Sequence, residues 1–108
     1  QGKQPVLWGR IRQNALLQNF PNPFNPETWI PFHLAQDADV TIQIYDLRGQ
    51  TVRTLSLGQL KAGVYEERGQ AAYWDGRSKT GEVVSSGSYF YQLRAGEDLA
   101  IRRMVMLK

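Results

Sequence analysis

Apolar and polar residues alternate with a period of two along much of this chain. Three stretches place bulky apolar side chains on one face: Ile30, Phe32 and Leu34; Val40, Ile42 and Ile44; and Tyr89, Tyr91 and Leu93. Because successive side chains of a β-strand point to opposite sides of the sheet, this alternation predicts half-buried strands. No stretch sustains the three-to-four-residue period of an amphipathic helix. The chain is therefore predicted to be all-β.

Turn-forming residues separate these stretches at intervals of about 8 to 12 residues. Asp46–Gly49 predicts a hairpin turn with Gly49 at positive φ, and Asp75-Gly76 predicts a second tight turn. Pro31 marks an edge strand or an interrupted one, because proline cannot donate a backbone hydrogen bond. Residues 63–74 fit either one bent strand or two short ones. About seven strands in an immunoglobulin-like antiparallel β-sandwich are expected, with Trp74 facing inward.

A segment dense in proline and asparagine precedes the first alternating stretch. It contains Asn22, Pro23, Phe24, Asn25 and Pro26, and a further Phe-Pro pair stands just before them. Each proline fixes its own φ and favours extended backbone in the residue before it. The asparagines are expected to bond their own backbone in Asx-turns, and the phenylalanines to anchor the loop on apolar surface. The segment is thus predicted to be a rigid entry to the sheet.

Composition and charge exclude several classes of function. The chain has 108 residues, 42% of them hydrophobic, which suits one globular domain. Its net charge of +3 comes from Lys3, Arg10 and Arg12, since the remaining ten basic residues are balanced by ten acidic ones. The body therefore offers no basic surface for nucleic acid. No apolar run approaches the ~20 residues of a transmembrane helix. No signal-peptide pattern opens the chain, so if the protein is exported, its signal is expected upstream of Gln1.

The first fifteen residues differ in composition from the rest. They contain no acidic residue and one short apolar cluster, Val6-Leu7-Trp8. Residues 1–15 are interpreted as a linker end or an added edge segment, in which the cluster pairs as a short strand or tucks under the body. The domain proper is predicted to span residues 16–108.

Candidate catalytic and metal-binding groups are few. The chain has one histidine and no cysteine, so His33 has no evident partners for nucleophilic or metal chemistry. Asp37 and Asp39 could contribute oxygens to a calcium site, but two carboxylates in one loop fit solvated turn residues better. Asp75 beside Trp74 could be an acid next to a sugar platform, yet a turn explains this pair more simply. The expectation is a non-enzymatic domain without catalytic, metal or cofactor sites.

Trp29 lies on the face opposite Ile30 and Phe32 in the alternating stretch. An exposed tryptophan often marks a contact. The favoured reading is an internal or interdomain contact; the alternative is stacking on a sugar, as in carbohydrate-binding sandwiches.

Five motifs in a fixed order resemble a known family. They are Leu17-Gln-Asn-Phe-Pro-Asn-Pro-Phe-Asn-Pro-Glu-Thr28, Ile44-Tyr-Asp-Leu-Arg-Gly49, Trp74-Asp-Gly76, Ser86-Gly-Ser-Tyr-Phe-Tyr91 and Arg103-Met-Val-Met-Leu-Lys108. Together they resemble the C-terminal sorting domain of type IX secretion substrates. The Ig-like domain of the flagellar hook-capping protein shares the Tyr-Asp, Trp-Asp-Gly and Gly-x-Tyr part of the pattern. The resemblance covers about residues 16–108.

The resemblance implies an immunoglobulin-like domain at the C-terminus of a larger protein, read by outer-membrane secretion machinery for delivery to the cell surface or medium. The sorting signal would then include six residues in two regions: Ser86, Gly87, Tyr89, Arg102, Arg103 and Lys108. A final strand with basic ends could present unpaired backbone groups to a receptor strand, so recognition by strand addition is one hypothesis.

Two other classes of function stay open at this point. A structural Ig-like accessory domain would need only the fold, and a carbohydrate-binding module would use Trp29. The partners expected under the favoured hypothesis are the export machinery and upstream domains of the same polypeptide. Neither nucleic acid nor a cofactor is expected.

Overall fold

A computed structural model describes residues 13–108, which form nine β-strands. They are β1 (Ala15–Leu16), β2 (Thr28–Ile30), β3 (Phe32–Leu34), β4 (Ala38–Tyr45), β5 (Thr51–Leu60), β6 (Gly63–Tyr65), β7 (Ala72–Trp74), β8 (Gly87–Ala95) and β9 (Asp98–Met106). Within this part of the chain, no helix is long and apolar enough to span a bilayer. The all-β prediction is confirmed, while Val6-Leu7-Trp8 lies outside the described residues.

The strands form two layers. One is a four-stranded antiparallel sheet in the order β5-β4-β8-β9, so the last strand lies at its edge. The facing layer consists of two small antiparallel sheets, β1-β3-β6 and β2-β7. This arrangement is the predicted antiparallel β-sandwich.

The core lies between the two layers and contains the residues that the alternation predicted to face inward. The three apolar stripes from β2–β3, β4 and β8 belong to one buried cluster. Trp74 from β7 is fully buried in it and meets the Tyr89 ring edge-on, with ring centroids 6.1 Å apart. Every buried side-chain nitrogen or oxygen among the described residues has a hydrogen-bond partner. The inward register predicted for these stripes is confirmed.

Pro31 explains why the strand count exceeds the expected seven. It separates β2, which pairs with β7, from β3, which pairs with β1 and β6. Proline has no N–H to continue a ladder, and its carbonyl instead accepts a bond from the Leu17 backbone. Residues 63–74 likewise resolve into two short strands, β6 and β7. The alternating stretches are therefore cut into more and shorter strands than predicted.

The predicted hairpin turn joins β4 to β5. The Asp46 side chain accepts hydrogen bonds from the backbone N–H groups of Arg48 and Gln50, both at 2.9 Å. Gly49 adopts φ +83°, which supports the prediction of a positive φ there. Side-chain bonding by Asp and conformational freedom of Gly thus close this turn together.

Candidate functional site

The Asn-Pro-Phe-Asn-Pro segment packs against the final strand, so the first and last motifs of the sequence meet. Phe24 is buried, with its ring 5.5 Å from that of Trp74. Its backbone N–H donates to the Val105 carbonyl at 2.9 Å, and its carbonyl accepts from the Leu107 N–H at 3.0 Å. Phe24 therefore holds the C-terminal end of β9 through both its side chain and its backbone, and it anchors the loop as predicted.

Asn22 does not form the predicted Asx-turn. Its side-chain oxygen instead accepts a hydrogen bond from the Val105 N–H at 2.9 Å, more than eighty residues along the chain. The prediction was wrong because the outward N–H of an edge strand, which sequence proximity cannot reveal, competes for the same oxygen. Asn25 is exposed. The segment thus serves as a cap on the edge of β9.

A buried polar network holds the start of this segment, and the sequence analysis did not single it out. The buried Asn19 side chain donates to Thr28 Oγ1 at 3.0 Å and to the Pro21 carbonyl at 3.2 Å. The Tyr91 hydroxyl accepts from the Asn19 backbone N–H at 3.0 Å and donates to the Leu17 carbonyl at 2.8 Å. Burial raises the pKa of Tyr91, so it stays a neutral donor. The signal that was available is the position of Asn19 directly before the Phe20-Pro21 pair.

The Trp-Asp-Gly turn touches the other end of the same segment. Gly76 has φ +76°, and a Cβ placed on it would lie 2.1 Å from the carbonyl oxygen of Pro26. Both the backbone conformation and the close approach therefore require glycine. The first and third motifs are matched to each other at this contact.

Asp75 in that turn has a structural role. Its carboxylate accepts hydrogen bonds from the Arg77 N–H at 3.0 Å and from the Arg53 guanidinium at 2.9 Å. Burial alone would raise the pKa of Asp75, but these bonds outweigh it and lower the pKa below its ordinary value. The carboxylate therefore stays ionised, which suits the predicted turn and not an acid catalyst.

The first candidate sorting region is partly buried. Tyr89 faces the core, and its hydroxyl donates to the Ser85 carbonyl at 2.7 Å. Gly87, at φ +148°, begins β8 opposite Met106. The Ser86 hydroxyl accepts from the Lys108 backbone N–H at 2.9 Å. The region is thus brought beside the end of the chain, and Ser86 holds that end in place.

The two arginines of the second region lie in different environments. Arg102 Nε donates to the Leu16 carbonyl at 2.7 Å, which joins the edge strand β9 to β1 of the facing layer. The side chain of Arg103 is on the other face of β9 and is exposed, although its backbone carbonyl accepts from Gln18 Nε2 at 3.0 Å. Lys108 is also exposed. Both arginines are exposed, but only the side chain of Arg102 bonds to another segment among the described residues.

The outer face of β9 carries an aliphatic stripe beside Arg103. Leu99, Ile101 and Leu107 are 53%, 59% and 54% exposed. Phe90 of the neighbouring strand pairs directly with Arg103 and is half-buried. We call this surface, formed by Leu99, Ile101, Arg103, Leu107 and Phe90, the β9 face.

Strand addition at the C-terminal end of β9 is not supported. The outward backbone groups of Arg103, Val105 and Leu107 that a receptor strand would use bond instead to Gln18, Asn22 and Phe24. That hypothesis failed because the capping segment comes from the opposite end of the sequence. The side chains of the β9 face are accessible, whereas the backbone edge at the C-terminal end of β9 is already hydrogen-bonded.

Trp29 is half-buried and makes internal contacts, as the favoured reading held. Its ring lies 6.3 Å from that of Phe20 and 5.4 Å from that of Tyr73. The Arg68 guanidinium carbon lies 4.3 Å from the ring centroid, a cation–π distance. A sugar stacking on this ring would have to compete with those side chains.

The remaining polar candidates make local contacts. His33 Nε2 lies 2.5 Å from a carboxylate oxygen of Glu66. Asp37 accepts a bond from the Ala62 N–H at 2.8 Å, and Asp39 is exposed. Among residues 13–108, no three His, Cys, Asp or Glu side chains are grouped to hold a metal ion.

Comparison with known families identifies the family to which this domain belongs. The model of the FlgD Ig-like domain matches residues 25–98, which is most of the sandwich. The chain belongs to the FlgD Ig-like domain family. The Ig-like sandwich predicted from the alternation is thereby confirmed.

Two curated relatives match half of this Ig-like domain. The basal-body rod modification protein FlgD of Salmonella typhimurium is 46% identical over 57 residues, as is that of Salmonella typhi. The match covers 52% of this chain and 22% of each FlgD. The chain thus corresponds to about a fifth of the length of these relatives.

Two solved structures share the fold over nearly the whole Ig-like domain. Dimeric latent PorU from Porphyromonas gingivalis matches with a TM-score of 0.63 and 22% identity, over 90% of this chain and 10% of PorU. PorZ, described as an essential bacterial surface component of the type IX secretion system of the same organism, matches with a TM-score of 0.55 and 17% identity. That match covers 93% of this chain and 12% of PorZ. These likenesses establish the fold.

Proposed function

We propose that this Ig-like domain is a non-catalytic C-terminal sorting domain, which directs a larger protein across the outer membrane to the cell surface or medium. The observation that carries the proposal is the order of five motifs, of which the fold brings the first into contact with the third and with the fifth. PorZ, a surface component of a type IX secretion system, contains a domain of the same fold, which supports the same route. The host would be a bacterium of the Gram-negative type.

The β9 face is the part of the domain that we assign to the export machinery. It combines exposed aliphatic side chains with the exposed guanidinium of Arg103, a combination typical of a protein-binding surface. Ser86, Tyr89 and Arg102 then act through positioning, since each bonds to the backbone that holds β9 or its neighbour.

A fusion experiment tests the sorting function. The 108-residue chain is attached to the C-terminus of a periplasmic reporter in a host that has type IX secretion. We expect the reporter on the cell surface or in the medium, and in the periplasm of the same host when the secretion system is deleted.

An unrelated Ig-like sandwich of similar length is the matched control for that fusion. It should leave the reporter in the periplasm, because the fold alone is not the address. Retention of the reporter with the native chain, or export with the unrelated sandwich, would contradict the proposal.

The sequence match to FlgD favours a second candidate, a structural Ig-like domain of a basal-body rod modification protein. The 46% identity over 57 residues supports it. If this candidate holds, the chain should restore FlgD activity when it replaces the matching part of Salmonella FlgD, and it should fail to export the reporter.

A further inference from the structure

The outer face of the four-stranded sheet carries neutral polar side chains at its centre. Lysine and glutamate commonly occupy such solvent-facing positions, but here hydroxyl and amide groups take their place. Strand propensity explains threonine and tyrosine at these positions, but it does not explain two glutamines. The neutral positions on β4, β5 and β8 are Thr41, Gln43, Tyr45, Thr54, Ser56 and Gln92.

The two glutamines lie next to a pair of aromatic rings. Gln43 of β4 is directly opposite Gln92 of β8, and Tyr45 is directly opposite Phe90. The two pairs are about 7 Å apart along the strands, since each residue advances the strand by about 3.4 Å. All four residues are half-buried. We call this surface, formed by Gln43, Tyr45, Phe90 and Gln92, the amide site.

The Tyr45 hydroxyl holds the two amides of this site in place. Its oxygen lies 2.6 Å from Gln43 Oε1 and 3.1 Å from Gln92 Oε1. A phenol carries one hydrogen, so it donates to only one of these oxygens at a time, and the other oxygen stays available as an acceptor. Neither amide NH₂ group has a hydrogen-bond partner among residues 13–108. The amide site therefore presents positioned donors and an acceptor to a ligand.

This chemistry discriminates between classes of ligand. Nucleic acid requires lysine or arginine at its phosphates, and the centre of a protein interface is largely apolar. A carbohydrate offers hydroxyl groups that both donate and accept, together with an apolar ring face that stacks on aromatic side chains. Neutral amides beside Tyr45 and Phe90 match both features of a carbohydrate.

We propose that the amide site binds a neutral carbohydrate. A sugar ring stacks on Tyr45 and Phe90, and its hydroxyl groups bond to the amides of Gln43 and Gln92. Thr54, which lies opposite Gln43, extends the polar surface toward the β5 edge for a further sugar unit.

This site is distinct from the two surfaces already described. It shares only Phe90 with the β9 face, so the proposal goes beyond the sorting function. Trp29, the sugar platform that the sequence suggested, belongs to β2 in the facing layer.

An array of neutral polysaccharides tests the proposal on the full chain. The array contains glucans, mannans, galactans and xylans, and we expect the labelled protein to bind at least one of them. A hexasaccharide of that polymer should then shift the side-chain NH₂ signals of Gln43 and Gln92 in NMR spectra. Absence of binding to every polymer, or shifts confined to Trp29 and Tyr73, would overturn the proposal.

Truncation of the glutamines provides the quantitative test. Gln43→Ala and Gln92→Ala should each weaken hexasaccharide binding about tenfold, since each loses hydrogen bonds to the sugar. Gln70→Ala, at an exposed position between β6 and β7, is the matched control and should leave the affinity within about twofold of wild type. Equal affinities of all three variants would contradict the assignment. Circular dichroism checks that each variant is folded.

The reporter fusion separates this proposal from the sorting function. Both glutamine variants should still be exported, because neither residue belongs to the β9 face. Unchanged sugar affinity together with lost export would assign this surface to a protein partner and overturn the proposal.

Discussion

Gly76 lies where the Trp-Asp-Gly turn passes the end of the Asn-Pro-Phe-Asn-Pro segment. Sequence reasoning predicted the tight turn at the Asp-Gly pair, in which Gly76 takes φ +76°. It could not predict the second requirement, which is the contact with Pro26 across the fold. One glycine thus meets two independent constraints, one local and one tertiary.

Replacing Gly76 by alanine should be far more costly than the same change at Gly49. Both residues have positive φ, but only the Cβ of Gly76 would collide with backbone. No atom of the described residues lies within 4 Å of a Cβ at Gly49. We expect Gly49→Ala to lower the free energy of unfolding by about 1 kcal/mol. Gly76→Ala should lower it by about 3 kcal/mol or more, since strain and displacement of Pro26 add. Urea denaturation measures both, and equal losses would contradict the role given to the Pro26 contact.

The two faces of β9 lie in different surroundings. Its inward face buries Met104 and Met106, and Arg102 on the same face reaches the Leu16 carbonyl. Its outward face presents Arg103 and the aliphatic stripe to solvent. Of the two adjacent arginines, only Arg102 therefore bonds to the facing layer among the described residues, because adjacent residues of a strand point in opposite directions.

Matched substitutions at the two arginines should separate stability from export. Arg102→Met removes the bond to Leu16 and should lower the free energy of unfolding by about 1 kcal/mol. Arg103→Met should leave stability within about 0.5 kcal/mol of wild type. In the reporter fusion, the Arg103 variant should reduce export while remaining folded. Full export by a folded Arg103→Met variant would remove that residue from the proposed recognition surface.

At the scale of the whole molecule, contacts between distant segments hold the two layers together. Residues near the two ends of the chain meet where Asn22 and Phe24 bond to Val105. On the opposite side of the four-stranded sheet, Arg53 of β5 bonds to Asp75, which follows β7 of the facing layer. Both edges of the sandwich are therefore fastened by polar groups across a largely apolar core.

The Asp75 contact makes stability depend on pH in the acid range. The pKa of Asp75 is lowered in the folded state, so the unfolded chain binds more protons there. Its stabilising contribution is fully present above the unfolded pKa of about 4 and is lost as pH falls through the lower folded pKa. Asp75→Asn should thus be less stable than wild type at pH 7, and the gap should narrow below about pH 4.

Thermal unfolding across that pH range measures the difference. Arg53→Met removes one of the groups that lower the pKa of Asp75 and should weaken the pH dependence without eliminating it. A pH profile of Asp75→Asn parallel to that of wild type would contradict the assignment.

Local patterns were sufficient to predict the strands, the inward faces and the turn chemistry. Alternation placed Ile42, Tyr91 and Leu93 in the core, and Asp46 with Gly49 in a hairpin, because these features depend on neighbours within a few residues. Pro31 was correctly identified as an interruption of the strand. The chain passes from one small sheet to the other at Pro31, which raises the number of strands above the expected seven.

The sequence by itself determined the fold class, since side-chain alternation and turn residues act locally and are written along the chain. Only the tertiary structure decided what the Asn-Pro-Phe-Asn-Pro segment does. Asn22 was expected to bond its own backbone in an Asx-turn, yet its side chain accepts a hydrogen bond from the Val105 N–H. Arg102, unlike Arg103, was found to bond to the facing layer through its side chain. These outcomes depend on which segments meet across the sandwich. Packing of the core determines those meetings, and no local pattern encodes them.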